Sequence, residues 1–359
     1  MRPIIPILAT IGVGLLIFSV FYEPTCTPPS YHEAERGSHG FRIWSGATLQ
    51  SFKHAGGRIC VAEGWEPIGH LRSGPGWATF PAGATGVLIR SDAFASSEVI
   101  RVPSYEVTLR YPKKLEDVSK YERIVRNAFE RTDALFPDSK TQAHTVLVTT
   151  GLPLTDDEDA SIYPDPNEQV SYFILKPNYH RAEELMIHAV MHLYNRYGAD
   201  APRLSRDALI SPEDFTEYEA SWAELAFATN TAGRDARTLH LHTLHEGIVT
   251  RDIEKTRGSF FYDASVFEML NRSGTTSSES SYFDAQYAHY VLAPLIMVGI
   301  DTLLERQTET TVEELLHRVH EDTSLNFFDE VFKLLPNEED RIRGWIAGTG
   351  VVPRDLVIR

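Results

Sequence analysis

The feature that most constrains this chain is a change of hydrophobic period at Tyr111-Pro112. Before it, short apolar runs (RICVA, GVLIRS, VIRVP, YEVTLRY) are cut by glycine and proline turns such as Ser73-Gly74-Pro75-Gly76, the patterning of a small β domain over residues 41–111. After it, Tyr121, Ile124, Val125, Ala128, Phe129 and Leu135 fall on one face of a helix spanning Val118 to Phe136. HTVLVTT (144–150) reads as a buried strand, an acidic loop with prolines runs from Asp156 to Asn167, and QVSYFILKP (169–177) reads as another strand. Nearly everything beyond is helical. A β region, a helix–strand–loop–strand unit and a long helical tail make an α+β order and not a doubly wound one.

The N-terminus bears on compartment. Ile4 to Tyr22 carries no charge over nineteen residues, about the length that crosses a hydrocarbon core as a helix. Arg2 precedes the run and Glu23 follows it, which predicts a single-pass anchor (1–22) with the body outside the cytoplasm. No small-residue cleavage site follows, and Cys26 comes after Glu-Pro-Thr, not after the residues that precede a lipid-modified cysteine. Residues 23–40, with Pro24, Pro28 and Pro29, suit an extended linker. Cys26 and Cys60 are the only cysteines, too few for a zinc ribbon or an iron–sulfur site, and in an oxidising compartment they are candidates for one disulfide.

With 34 basic against 50 acidic side chains the net charge is −16, which argues against a nucleic-acid partner. There is no phosphate-binding G-x-x-x-x-G-K-[ST] loop, no G-x-G-x-x-G and no G-x-S-x-G elbow.

The segment Glu183-Glu184-Leu185-Met186-Ile187-His188-Ala189-Val190-Met191-His192 carries the most chemistry. Residues four apart share a helix face, so His188 and His192 can present two imidazoles to one ion, a spacing that suits zinc. Glu184 lies one turn earlier on that face. Downstream, residues 212–227 (PEDFTEYEASWAELAF) form the only dense acidic, helical candidate for a second wall, and a solvated acidic face is the plainer reading of Glu217, Glu219 and Glu224.

An apolar strand, a short polar turn and a helix with paired histidines resemble the gluzincin, thermolysin-like metallopeptidases, particularly leukotriene-hydrolase-type and glycyl aminopeptidases. Those enzymes carry H-E-x-x-H on one helix and a glutamate ligand on the next. The tail adds to the likeness: Tyr287-Ala288-His289-Tyr290 stands where the family has Y-x-K-G, followed by VLAPLIMVGIDTLLERQ (291–307), TVEELLHRVHED (311–322), LNFFDEVFKLL (325–335) and IRGWIAGTGVVP (342–353). The resemblance covers about residues 105–355, within a peptidase-type domain expected over 112–359.

It implies zinc on His188 and His192, a third ligand from the 212–227 helix, and Tyr287 as a hydrogen-bond donor to the tetrahedral oxyanion. Two alignments compete for that helix. Matching Ser221-Trp222-Ala223-Glu224 to G-F-A-E puts Ala220 at the ligand position with Glu224 as the acid behind the histidines; shifting by one makes Glu219 the ligand. The family's general base is replaced by Ala189, and loss of a positioned base costs on the order of 10²–10⁴ in rate. Glu184 is the alternative base, pointing past His188. His240, His242 and His245 form a further cluster, more simply read as histidines on a connecting helix.

Two functions follow from the resemblance. One is an anchored, extracytoplasmic, catalytically impaired peptidase homologue with weak or absent zinc, which binds a peptide or protein ligand. The other is a working zinc peptidase with an atypical base.

Overall fold

The computed structural model describes residues 49–53, 58–68, 72–79, 85–136, 142–148, 160–163, 171–175, 181–194, 210, 212–257, 287–322 and 324–358. The expected anchor at 1–22, the linker at 23–40 and the acidic loop at 156–167 lie outside or almost wholly outside them. The chain divides into two compact units, with the break between Asp92 and Ala93.

Among the described residues the first unit holds six short strands: β1 (Leu49–Lys53), β2 (Arg58–Cys60), β3 (Trp65–Ile68), β4 (Arg72–Gly74), β5 (Trp77–Thr79) and β6 (Thr85–Arg90). They form two antiparallel three-stranded sheets, ordered β1-β6-β3 and β2-β5-β4. Ile59, Ala78 and Leu88 form a small core with Val61 and Trp65 against it, as period-2 apolar alternation dictates. Cys60 is disulfide-bonded; the only other cysteine, Cys26, lies outside the described residues.

The second unit is built on a five-stranded sheet ordered β10-β11-β9-β8-β7. Its strands are β7 (Ser96–Val102), β8 (Tyr105–Tyr111), β9 (Gln142–Val148), β10 (Ala160–Tyr163) and β11 (Ser171–Leu175). β7 and β8 pair antiparallel, β8–β9 and β9–β11 run parallel, and β10 closes the edge antiparallel to β11. This moves a boundary. VIRVP and YEVTLRY belong to this sheet and not to the small β domain, because Tyr105–Arg110 take Gln142–Leu147 as their parallel neighbours. Strand patterning marks a strand but does not name its partner.

Helix α1 (Val118–Leu135) crosses between β8 and β9 and buries the face predicted for it, Tyr121, Ile124, Val125, Ala128, Phe129 and Leu135. Next come α2 (Ala182–Tyr194), α3 (Pro212–Ala226), α4 (Thr231–Thr250) and the short α5 (Ile253–Thr256). A π-helical turn, Ala288–Leu292, leads into α6 (Ala293–Gln307), followed by α7 (Val312–Glu321), α8 (Phe327–Leu334), α9 (Glu339–Ile346) and α10 (Arg354–Val357). Ala288–Gln307 is long and apolar enough to cross a membrane, yet it is largely buried in the protein, as a core helix is. Its buried residues extend from Ala293 to Leu304. Thr311 and Glu314 close a reciprocal capping box at the start of α7, which satisfies two otherwise orphaned N–H groups.

Candidate metal centre

Helix α2 follows the strand β11 and is made of good helix formers, with Glu183 and Glu184 in the first turn, where the helix dipole favours negative charge. Four-residue spacing puts His188 and His192 side by side on its buried face, with Nε2 atoms 3.0 Å apart. Helix α3 packs across it and delivers Glu217, whose Oε2 lies 3.3 Å from His188 Nε2 and 3.6 Å from His192 Nε2. The three donor atoms converge on one point. Glu217 Oε2 is buried and makes no hydrogen bond of good geometry. Separations of 3.0, 3.3 and 3.6 Å bracket the roughly 3.4 Å edge of a tetrahedron with ligands about 2.1 Å from zinc. The donor set therefore fits a zinc-class ion.

Behind the centre lies a buried charge array. His188 Nδ1 is 3.3 Å from Glu224 Oε2. Arg237 of α4 binds the other oxygen of Glu224 and reaches Glu184 Oε2 at 2.6 Å, which Arg181 Nε also meets at 3.1 Å. Burial alone would raise Glu224, but the Arg237 charge and His188 hold it at about 2. Burial likewise opposes the charged form of Glu217, and His192 and His188 keep it well below the usual carboxylate range. For His188 burial favours the neutral ring, yet hydrogen bonds and charge from Glu217 and Glu224 push it up to about 9. His188 Nε2 faces His192 and Glu217 while Nδ1 lies on the Glu224 side, where it makes no hydrogen bond of good geometry, so an outer carboxylate stands next to the imidazole as it does beside a ligating one.

The third carboxylate is neither of the two candidates from alignment. Ala220 is buried and offers only a methyl group. Glu219 is fully buried on the opposite side of α3, where its Oε1 meets His320 Nε2 at 3.1 Å. The carboxylate beside the two imidazoles is that of Glu217, one turn before Ala220. The signal was present: Glu217, Ala220 and Glu224 are spaced three and four apart, so one face carries all three.

Glu184 is held between Arg181 and Arg237, and this pairing leaves it no orientation toward the shared point. Ala189 is buried among apolar neighbours. Tyr287 places its hydroxyl 2.7 Å from His245 Nδ1. Tyr290 leaves the π-helical turn for the surface, 41% exposed, with its ring stacked 6.1 Å from that of His188. Ser221 Oγ of α3 donates to the carbonyl of His289 at 3.0 Å and ties this turn to the site. His242 binds the carbonyl of Val352, so the second histidine cluster bolts down the C-terminal segment.

No family model and no curated protein matches the chain by sequence. Solved structures do match. An aminopeptidase N family protein from Idiomarina loihiensis superposes with a TM-score of 0.54 at 13% identity, covering 86% of this chain and 60% of that one. The chain has a gluzincin aminopeptidase-like fold. At this identity the likeness is one of fold, and the chain spans 60% of the length of the Idiomarina protein. The M1 zinc metallopeptidase of Deinococcus radiodurans (13% identity, TM-score 0.48, 94% of this chain and 76% of that one) and native yeast LTA4 hydrolase (12%, 0.47, 85% and 47%) also match.

Proposed function

We propose that this chain is a membrane-anchored, extracytoplasmic protein of gluzincin aminopeptidase-like fold that holds a zinc-class ion on His188, His192 and Glu217 and binds a peptide or protein ligand without efficient hydrolysis. The observation that carries this reading is a complete donor set beside Ala189, where the resembled motif has its general base. When bound, zinc supplies Lewis acidity toward a ligand carbonyl. Glu224 and Arg237 orient His188, and Tyr290 offers an exposed aromatic face next to it for a ligand to pack on. Among the described residues the carboxylates around the centre are already engaged: Glu184 is paired with two arginines, Glu224 is paired with Arg237 beside His188, and Glu217 completes the donor set. The uncharged run 4–22 after Arg2 supports the anchor and the orientation, and the acidic balance supports a partner other than nucleic acid.

The competing reading, a working zinc peptidase with an atypical base, draws on the same donor set. Hydrolysis of aminoacyl and short peptide substrates by the zinc-loaded full chain, compared with a His188→Ala/His192→Ala variant, separates the two. Equal background rates are expected. Chelator-sensitive turnover that the variant loses would establish the peptidase instead. Protease added to spheroplasts should digest the body, and protection of the body would reject the orientation.

A further inference from the structure

Among the residues whose side chains are described, Tyr290 is the only exposed aromatic one. Val99 of β7 and Leu239 of α4 are the other large apolar residues in solvent, and neither stands on an element that carries a donor of the metal centre. A lone exposed apolar side chain is ordinary on a protein surface. What sets Tyr290 apart is its position: its ring lies on that of His188 at 6.1 Å and 28°, and His188 Nε2 is one of the three converging donors.

The ring is also held in place. His289 meets it edge-to-face at 6.3 Å and 75°. The backbone of the turn is tied to α3 by Ser221 Oγ, which donates to the His289 carbonyl, and Val291 and Leu292 next along the chain are buried. A tyrosine fixed in this way offers a large contact surface at a low cost in side-chain entropy when a ligand arrives. Three protein donors leave the fourth tetrahedral position of a zinc-class ion for a ligand atom. Around that position stand the carboxylates of Glu184, Glu217 and Glu224 against Arg181, Arg237 and the divalent ion itself, a net positive balance. It favours an anionic oxygen at the open position and disfavours a cationic group beside it. The group that suits the Tyr290 ring there is an uncharged aromatic one, which gains from offset or edge-to-face contact.

Resting on the metal-centre reading above, we propose that Tyr290 is a specificity-determining residue: it selects a ligand with an uncharged aromatic side chain next to the anionic oxygen held at the His188–His192–Glu217 centre. Calorimetry on the zinc-loaded full chain tests this with benzylphosphonate and methylphosphonate, which share the anionic group and differ in the ring. The unmodified chain should bind the benzyl compound about tenfold more tightly. Tyr290→Ala should remove most of that preference, with methylphosphonate and zinc affinities staying within about twofold, as for an exposed side chain. Tyr290→Phe, which keeps the ring and lacks the hydroxyl, should retain the preference. Aminomethylphosphonate, cationic where the ring would be, should bind the unmodified chain no more tightly than Tyr290→Ala. Three results would overturn the proposal: no ring preference in the unmodified chain, a preference that survives Tyr290→Ala, or equal losses for both phosphonates in Tyr290→Ala, which would make the residue a support of the centre. Dependence of the amine on Tyr290 would overturn the aromatic class. A chain that takes up no zinc overturns the metal-centre reading and this proposal with it, whereas zinc uptake without a ring preference overturns this proposal alone.

Discussion

Glu217 and Glu219 stand two residues apart on α3, so the helix turns about 200° between them and sends one carboxylate to each side. On one side, Glu217 meets two imidazole nitrogens that also meet each other, 3.0 Å apart. On the other, Glu219 meets His320, whose ring packs 3.9 Å from that of Phe136. Both sides use histidine and glutamate, and both are buried. The difference is convergence: three donor atoms within 3.6 Å of one another suit a cation, while Glu219 has a single neighbour among the described residues, His320 on Oε1, and its Oε2 is buried without a hydrogen bond.

The largest expected effect breaks the convergent side. Glu217→Gln or His192→Ala should weaken zinc binding by more than the roughly 10–100-fold that losing an outer partner costs, measured by chelator competition. Glu219→Gln should leave zinc affinity within about twofold. A strong loss in Glu219→Gln with no loss in Glu217→Gln would exchange the roles of the two faces.

Histidines away from the acids of α3 give the next contrast. His144 packs against Tyr105 and Phe129, and burial lowers it to about 4, the same value as His245. Their unfolded counterparts titrate near about 6.5, so the unfolded chain takes up protons first. Stability from these rings is complete above about pH 6.5 and is lost as pH falls toward 4, by up to about 3 kcal/mol for each ring. Urea midpoints across that window should show the decline, and His144→Leu should remove about half of it. A pH-independent midpoint would mean that the rings titrate normally in the fold.

Sharpening the comparison needs the outer carboxylate. Glu224→Gln keeps the shape but weakens the hold on His188 Nδ1, with an expected loss of about 10–100-fold in zinc affinity. The smallest effect is on the other face. Glu219→Gln should cost about 1–2 kcal/mol of stability in urea unfolding, the range for altering one buried charge-assisted hydrogen bond, with the centre untouched.

Much of this was legible in the chain. The apolar face of α1, the histidine pair of α2, the acid behind it at Glu224 and the threonine cap of α7 are local properties, set by the 3.6-residue period and by side-chain chemistry within a few residues. Glu217 obeys the same period, whereas the spacing of the resembled family points to Ala220 or Glu219. A helix tolerates a ligand moved by one turn, because the face is kept even when the spacing is not.

What the sequence determined by itself was the kind of element at most positions, the faces those elements present, and an alanine at 189 between the two histidines of α2. Tertiary structure alone decided that β7 and β8 join the larger sheet, that Arg237 reaches from α4 to pair with Glu184 and Glu224, and that Val352 meets His245 from 107 residues away. The reason is physical. Periodicity is written in neighbouring residues, whereas strand partners, buried counter-charges and distant hydrogen bonds depend on groups that only packing brings within a few ångströms.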